Sequence, residues 1–495
     1  MKIEYDVLII GSGAGGGTVA DRLRPLAESG ARIGIVESGP HYTKDYFTQR
    51  EIEMMGLLWQ NGAWPTANGT VTLAAGKAVG GSTTMYTGVS FRLPEEVYGE
   101  WNIPGVTSED MTPRFERIEK ECSVIEPGPD MINDNNRLFK EGCDELGWPT
   151  VKIRLNLKGC DQNGFCNLGC VAGGKQNTLE VQIPKAVQSG VQLIPNCHIE
   201  RVGKYLATGC IRPTPQGTLP GPFPAGNVEF SAKIIVLACG CPGTSALLMR
   251  SALDGISDVL GKYITIHPAL TVYGIYPEPI KNYRGFPKTY YTPKFSKSHH
   301  HYIETAFYYP FISTKHLGLW GRTLKEVMQK YNRFMSAIIL NHDEAKPTNR
   351  VRLRNGAPVL DYTLSRETVV SHAHAQAQAA RIFFAAGCEQ VVMPFADRPA
   401  FGKEVPGDKL ENFIHERNFV PNLAPYATAH PQGGAMMGEK PAQSVTNPRG
   451  MVHGHPWLYV ADSSLFPRSS HVNPYMTIMA LAERAAEDII RNKLG

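Results

Sequence analysis

The hydrophobic pattern of this chain is clearest at its start, where apolar residues run on instead of alternating. Val7, Leu8, Ile9 and Ile10 follow one another without a polar break, the pattern of a parallel strand covered on both faces. The run ends at once in a glycine cluster that contains G-x-G-x-x-G at Gly11, Gly13 and Gly16. Apolar positions then recur at helical spacing through Val19, Ala20, Leu23 and Leu26, and a second run, Arg32 to Val36, stops on Glu37. The order strand, glycine turn, helix, strand predicts a dinucleotide-binding unit. Gly11 permits the tight turn, Gly13 lets backbone approach a pyrophosphate, and Gly16 allows close packing of helix on strand. The amides that open the helix at Ala14 face the phosphate charge. Glu37 stands where a carboxylate accepts hydrogen bonds from the adenosine ribose.

Further along, His198 to Val202 and Ile234 to Ala238 read as strands, the second followed by a glycine turn and a helix. Ser365 to Ala386 reads as a helix, and RVRLRNGAPVLDYTLS as a hairpin turning at Asn355 and Gly356. Leu458 onward gives a strand, then Asp462, then a closing helix with Ala480, Leu481, Ala485 and Ile489 on one side. Between Ala74 and Pro94 a second glycine-rich segment carries Gly76, Gly80 and Gly81 beside Ser82, Thr83 and Thr84. It suits close passage along phosphates; a mobile surface loop is the other reading. Pro40 to Asn68 shows no periodicity.

Composition narrows the class. A chain of 495 residues exceeds one ordinary core, so two domains are expected. The net charge of +4, without a basic block, speaks against nucleic acid as the main partner. No apolar stretch is long enough to span a bilayer. The first strand begins too early to leave room for a signal peptide, so the expected location is cytoplasmic, with export alongside a partner left open. Ten cysteines in a chain this long suggest thiols or metal ligands more than a disulfide scaffold.

The glycine fingerprint, GKAVGGST, VLACGCPGTSALLMRS and the tail HPQGG…VADSSLFPRSSHVNPYMTIMALAERAA occur in one order along the chain. In this the chain resembles the glucose–methanol–choline (GMC) oxidoreductases, FAD-dependent enzymes that oxidise alcohols. The resemblance implies an α/β fold. A Rossmann-type FAD-binding domain with a parallel sheet, drawn from 1–100, 185–272 and 446–495, would be joined by 101–184 to an α+β substrate domain, 273–445, with an antiparallel sheet. It implies flavin contacts at Gly80, Gly81, Ser82, Val202, Asp462, Asn473, Pro474 and Thr477. Tyr86 replaces the asparagine many members carry, and the segment holds no histidine or cysteine, so the FAD is expected to be non-covalent.

Alcohol oxidation needs a base near the hydroxyl and a second polar group to fix the oxygen while hydride leaves the carbon. The resemblance puts His430, in ATAHPQGG, in the first role and Asn473, in HVNPYMTI, in the second, with His471 a weaker candidate. His299, His300 and His301 read as a polar loop, and His372 and His374 point to different sides of one helix. Cys160, Cys166 and Cys170 form C-x5-C-x3-C among turn-forming glycines. They either hold a metal, such as the [3Fe-4S] cluster that cysteines at this spacing carry in some bacterial sugar and alcohol dehydrogenases of the family, or form a loop without metal. The expected partners are a small alcohol or sugar and, through such a cluster, an electron-accepting cytochrome. An oxidase of the same fold and a non-catalytic electron-transfer subunit are the alternatives.

Overall fold

The structure is a computed structural model that describes residues 1–60, 63–393, 400–405, 407–419 and 423–493; the rest of the expected 273–445 domain lies outside them. Its first sheet has seven strands, in the order Gln192–Ile194, Ile33–Val36, Lys2–Ile10, Gly226–Leu237, Leu206–Ile211, Cys197–Gly203, with Leu458–Val460 beside the end of Gly226–Leu237. The first four are parallel, and so is Leu458–Val460; the other two form an antiparallel flap. The apolar runs fill the interior because this sheet is covered on both faces. Val7, Leu8, Ile9, Ile35, Val236, Leu458 and Val460 are inaccessible to solvent.

Register decides where the chemistry can be. Ile10 pairs with both Val36 and Leu237, and Leu237 pairs with Val460. Four parallel strands therefore end at one level, and Gly11, Glu37, Ala238 and Ala461 all emerge there. The helix Ala14–Arg22 returns from this edge and packs through Val19 and Ala20 against Ala482, Ala485, Ala486 and Ile489 of the closing helix Tyr475–Lys493. Small residues on the closing helix let the two backbones approach. The strand expected at Ile234 to Ala238 is twelve residues long. Its first half alternates buried and accessible side chains, so its polar positions hide it from an apolar-run reading.

Among the described residues the second sheet is mostly antiparallel and has ten strands. Ala269–Ile275, Phe334–Asn341 and His301–Thr305 form its centre, with Tyr426–Thr428 and Val71–Leu73 on one side and Tyr290–Thr292 and Val151–Lys152 on the other. It thus draws strands from outside 273–445. The helix Arg366–Ala385 packs behind it, capped by the Ser365 side chain accepting from the Thr368 amide. The hairpin Arg350–Arg354 with Ala357–Asp361 turns at Asn355 and Gly356, both at positive φ. The consecutive histidines are not a loop. His301 starts a central strand and is fully buried, while His299 stacks on His374 at 3.7 Å. Among the described residues no helix is long and apolar enough to cross a membrane.

Candidate active site

A cavity of about 510 Å³ lies where the four strand ends meet the second sheet. Its floor is Ile10, Gly11, Gly13, Ala14, Glu37 and Asp462; its roof includes Leu73, Ala269, Leu340 and Thr428. Such a size suits a cofactor or drug-sized ligand.

The glycines of the first turn separate by what a side chain would meet. A Cβ on Gly11 would stand 2.1 Å from the Ala238 carbonyl oxygen, one on Gly15 1.6 Å from that of Ala461, and one on Gly16 1.9 Å from that of Gly11. Those positions are glycine for packing. A Cβ on Gly13 meets nothing nearer than Gly81 Cα at 3.8 Å, and its φ of −70° suits any residue. The packing of the protein does not require glycine there, and its absence of a side chain leaves the helix N-terminus open to the cavity. Gly81, from the second glycine segment, packs directly on Gly13, so that segment is ordered against the first and is not a free surface loop.

Two buried carboxylates brace this floor. Glu37 accepts from the Ser12 hydroxyl at 2.7 Å and amide at 3.1 Å through Oε2, and from the Gly39 amide at 2.8 Å and Ser38 hydroxyl at 3.2 Å through Oε1. Burial raises its pKa, and these bonds oppose the rise. Asp462 joins two further turns, taking the Gly240 amide at 2.9 Å and the Thr244 hydroxyl at 2.6 Å on Oδ2 and the Ser464 amide at 2.8 Å on Oδ1. Its pKa is likewise raised by burial. Glu37 faces the cavity but spends much of its acceptor capacity on its own loop.

At the other end His430 and Asn473 share the cavity wall, His430 Nε2 lying 3.4 Å from Asn473 Nδ2. His430 Nδ1 is 3.0 Å from Nδ1 of His267, and His267 Nε2 is 3.0 Å from Ser469 Oγ and 3.3 Å from Gln432 Nε2. Gln432 is pinned, since its Oε1 accepts the Ser470 amide at 2.9 Å. Burial pulls the His430 pKa down to about 3, with Lys288 adding to the effect, and burial also holds His267 well below the usual range. Both rings are neutral at pH 7, so a free ring nitrogen can accept a proton. Lys288 lines the same cavity, ion-paired to buried Glu304 at 2.8 Å. His471 lies elsewhere, bonded to Glu100 at 3.0 Å and stacked on His342.

Of the expected contacts, Gly11, Gly13, Ala14, Glu37, Gly81, Ser82, Asp462, Asn473 and Pro474 lie on the wall. Gly16 sits behind it as a packing residue, and Gly80 gives its amide to Ser12 Oγ. Val202 is in the core, donating its amide to Ser251 Oγ, while Cys197, His198 and Ile199 of its strand reach the cavity. Thr477 is fully buried away from the wall, which takes Tyr475 and Ile478 instead. The sequence reading gave no role to His267, Gln432, Ser469 or Lys288. The one available signal was that His267–Pro268 repeats the His–Pro pair of His430–Pro431.

At Cys160, Cys166 and Cys170, where the sequence left open a metal cluster or a loop without metal, the structure shows three free thiols. Cys166 packs with Val89, Met131, Leu155 and Phe286, and burial lifts its thiol to about 12. The Cys160 thiol is also raised by burial. The cation in this loop is the buried Lys175, whose ammonium donates to the carbonyls of Thr84 at 2.9 Å, Tyr86 at 2.8 Å and Cys166 at 2.6 Å. Cys160 and Cys170 sulfurs accept the Gln162 and Lys175 amides at 3.4 Å. Among the described residues no group of three or more His, Cys, Asp or Glu side chains is placed to hold a metal ion.

Residues 6–269 match the amino-terminal domain of the GMC oxidoreductases and residues 345–482 their carboxyl-terminal domain. The chain is 27% identical to long-chain-alcohol oxidase FAO4A of Arabidopsis thaliana, over 97% of this chain and 68% of that one. Its fold matches pyridoxine 4-oxidase of Mesorbium loti with a TM-score of 0.70 at 17% identity, over 99% of each chain. It matches formate oxidase of Aspergillus oryzae with a TM-score of 0.72 at 15% identity, over the whole of both. Strand register, glycine cradle and the two matched domains lead to one conclusion: the chain belongs to the GMC oxidoreductase family.

Proposed function

We propose that this protein binds FAD non-covalently and oxidises the CH–OH group of an alcohol to a carbonyl. The observation that carries this reading is the placement of His430 Nε2 and Asn473 Nδ2, 3.4 Å apart, on the wall of the cavity that begins at the glycine turn. Gly11, Gly13, Ala14 and Gly81 would hold the pyrophosphate, Glu37 the adenosine ribose, and Asn473 and Pro474 the far end. FAD, when bound, supplies the hydride acceptor. His430 takes the hydroxyl proton, and Asn473 fixes the direction of the oxygen so that the carbon–hydrogen bond points along one line. A non-catalytic subunit would have no use for this pair.

The acceptor expected from the sequence is one other than oxygen, a partner protein fed through an iron–sulfur cluster being one route. The packing of Cys166 and the Lys175 ammonium add nothing in favour of that route. The second reading, an oxidase delivering electrons to oxygen, is favoured by the names of the similar proteins above. The test is the spectrum of the purified protein, anaerobic, before and after aliphatic, aromatic and sugar alcohols. Bleaching of a flavin band by an alcohol supports the reading, and a protein without flavin overturns it. Admitting air then separates the acceptors, because fast recovery of the band with stoichiometric peroxide marks an oxidase.

A further inference from the structure

The proposed reaction leaves one proton on His430 at each turnover; the Nδ1 bond to His267 gives that proton a way off the ring, and burial, which lowers the His430 pKa, favours its loss. Two proton arrangements satisfy its bond to His267. In the first, His430 carries Nδ1–H, donated to His267 Nδ1, and keeps a lone pair at Nε2 toward the cavity. His267 then donates Nε2–H to Ser469 Oγ. In the second, His430 carries Nε2–H and His267 carries Nδ1–H, so His267 Nε2 accepts from Gln432. The two differ by the passage of one proton through the pair. A hydroxyl proton arriving at His430 Nε2, with one leaving from His267 Nε2, converts the first arrangement into the second.

Behind His267 lies a second cavity of about 220 Å³, which shares His267, Leu340 and Asn473 with the first. At about 30 Å³ per molecule it has room for several waters. Its charged wall groups are already paired: Arg92 with Glu119 at 2.8 Å and Glu304 with Lys288 at 2.8 Å. Tyr291 and Tyr302 add hydroxyls, and His471 forms its outer side. The His471 side chain is 11% exposed, and its Nε2 meets Glu100, 42% exposed, at 3.0 Å. Stacked on His471 is His342, which in turn meets exposed His300. Glu96, His300 and Arg468 act on the charge of Glu100. Imidazoles thus reach from the site to the surface.

We propose that this second cavity is a proton exit, in which His430 passes the alcohol's proton to His267 and water in the chamber carries it to His471 and Glu100. The inference rests on His430 being the proton acceptor. One O–H bond breaks and one N–H bond forms at His430 Nε2; the Nδ1 proton moves to His267 Nδ1; the Nε2 proton of His267 passes to Ser469 Oγ, and the hydroxyl proton of Ser469 leaves to water. No electrons travel this way. His471 and Glu100 are positioned on the route and touch no reacting atom.

The test uses FAD-loaded protein, an alcohol that bleaches it, weak buffer and a pH-indicator dye, in single anaerobic turnovers. In the parent protein, proton release keeps pace with bleaching. In His471→Gln it lags by roughly a hundred-fold, the low side of what proton transfer by a positioned side chain contributes. Added imidazole restores it, and a solvent deuterium effect appears on release. Glu100→Gln shows the same lag, smaller. Nitrogen NMR of labelled histidines shows the His430–His267 pair unchanged in His471→Gln, which excludes a folding defect. Release that stays concurrent with bleaching in His471→Gln overturns the route and leaves the function reading standing. A parent protein that bleaches to the anionic reduced flavin with alcohol but releases no proton overturns the route.

Discussion

Replacing Gly13 and replacing Gly16 with alanine should have opposite consequences, although both belong to the same fingerprint. At Gly16 the new methyl would lie 1.9 Å from the Gly11 carbonyl oxygen. Backbone must move by more than an ångström to relieve that contact, which as overpacking costs about 1–3 kcal/mol or more. At Gly13 the nearest atom would be 3.8 Å away and the backbone is already in a common conformation. The loss of glycine at an N-cap and the smaller entropy of the unfolded chain then nearly cancel, leaving a change under about 1 kcal/mol. The methyl does, however, stand where the pyrophosphate would approach the helix. Losing that approach should weaken FAD at least tenfold, about 1.4 kcal/mol. Thermal unfolding of the apoprotein and FAD titration separate the two effects. Gly13→Ala should unfold with the parent and bind FAD poorly, while Gly16→Ala should unfold early. A Gly13→Ala protein that binds FAD as tightly as the parent refutes the assignment of this cradle.

Other outcomes follow from the same geometry. Lys288→Met leaves Glu304 buried without its partner, so chemical denaturation should show a loss of about 3–5 kcal/mol, and Lys288→Met with Glu304→Leu should recover much of it. His372 is fully buried with its Nε2 on the Pro268 carbonyl, and burial lowers its pKa to about 3. It gains a proton near pH 6.5 only when unfolded, so stability falls as pH drops from 6.5 toward 3, by at most about 1.4 kcal/mol per unit for this group; melting curves of His372→Gln should show a shallower acid slope. Cys166→Ser should leave iron content, measured by atomic emission on anaerobically purified protein, at the parent's background level.

The sequence revealed what is local. A buried parallel strand, its glycine turn and the following helix are neighbours in the chain, and the reading of Gly11 and Asp462 at strand ends needed no distant partner. The His430–His267 bond joins residues 163 positions apart, and neither a period nor a spacing carries that information. Val202 shows the limit within one element: its strand was legible, but the start of Cys197–Gly203 faces the cavity and its end is in the core. The surroundings of the cysteine loop were illegible for a different reason. Spacing says that three sulfurs can meet; it does not say that Lys175 will bind the Cys166 carbonyl or that Phe286 will cover the thiol.

The central claim is that His430 accepts the proton of an alcohol held in the flavin cavity. Stopped-flow reduction of FAD-loaded protein by a bleaching alcohol, without oxygen, tests it most directly in the parent and in His430→Ala. General base removal should slow bleaching by about 10²–10⁴-fold with FAD still bound. Bleaching at the parental rate in His430→Ala would contradict the account.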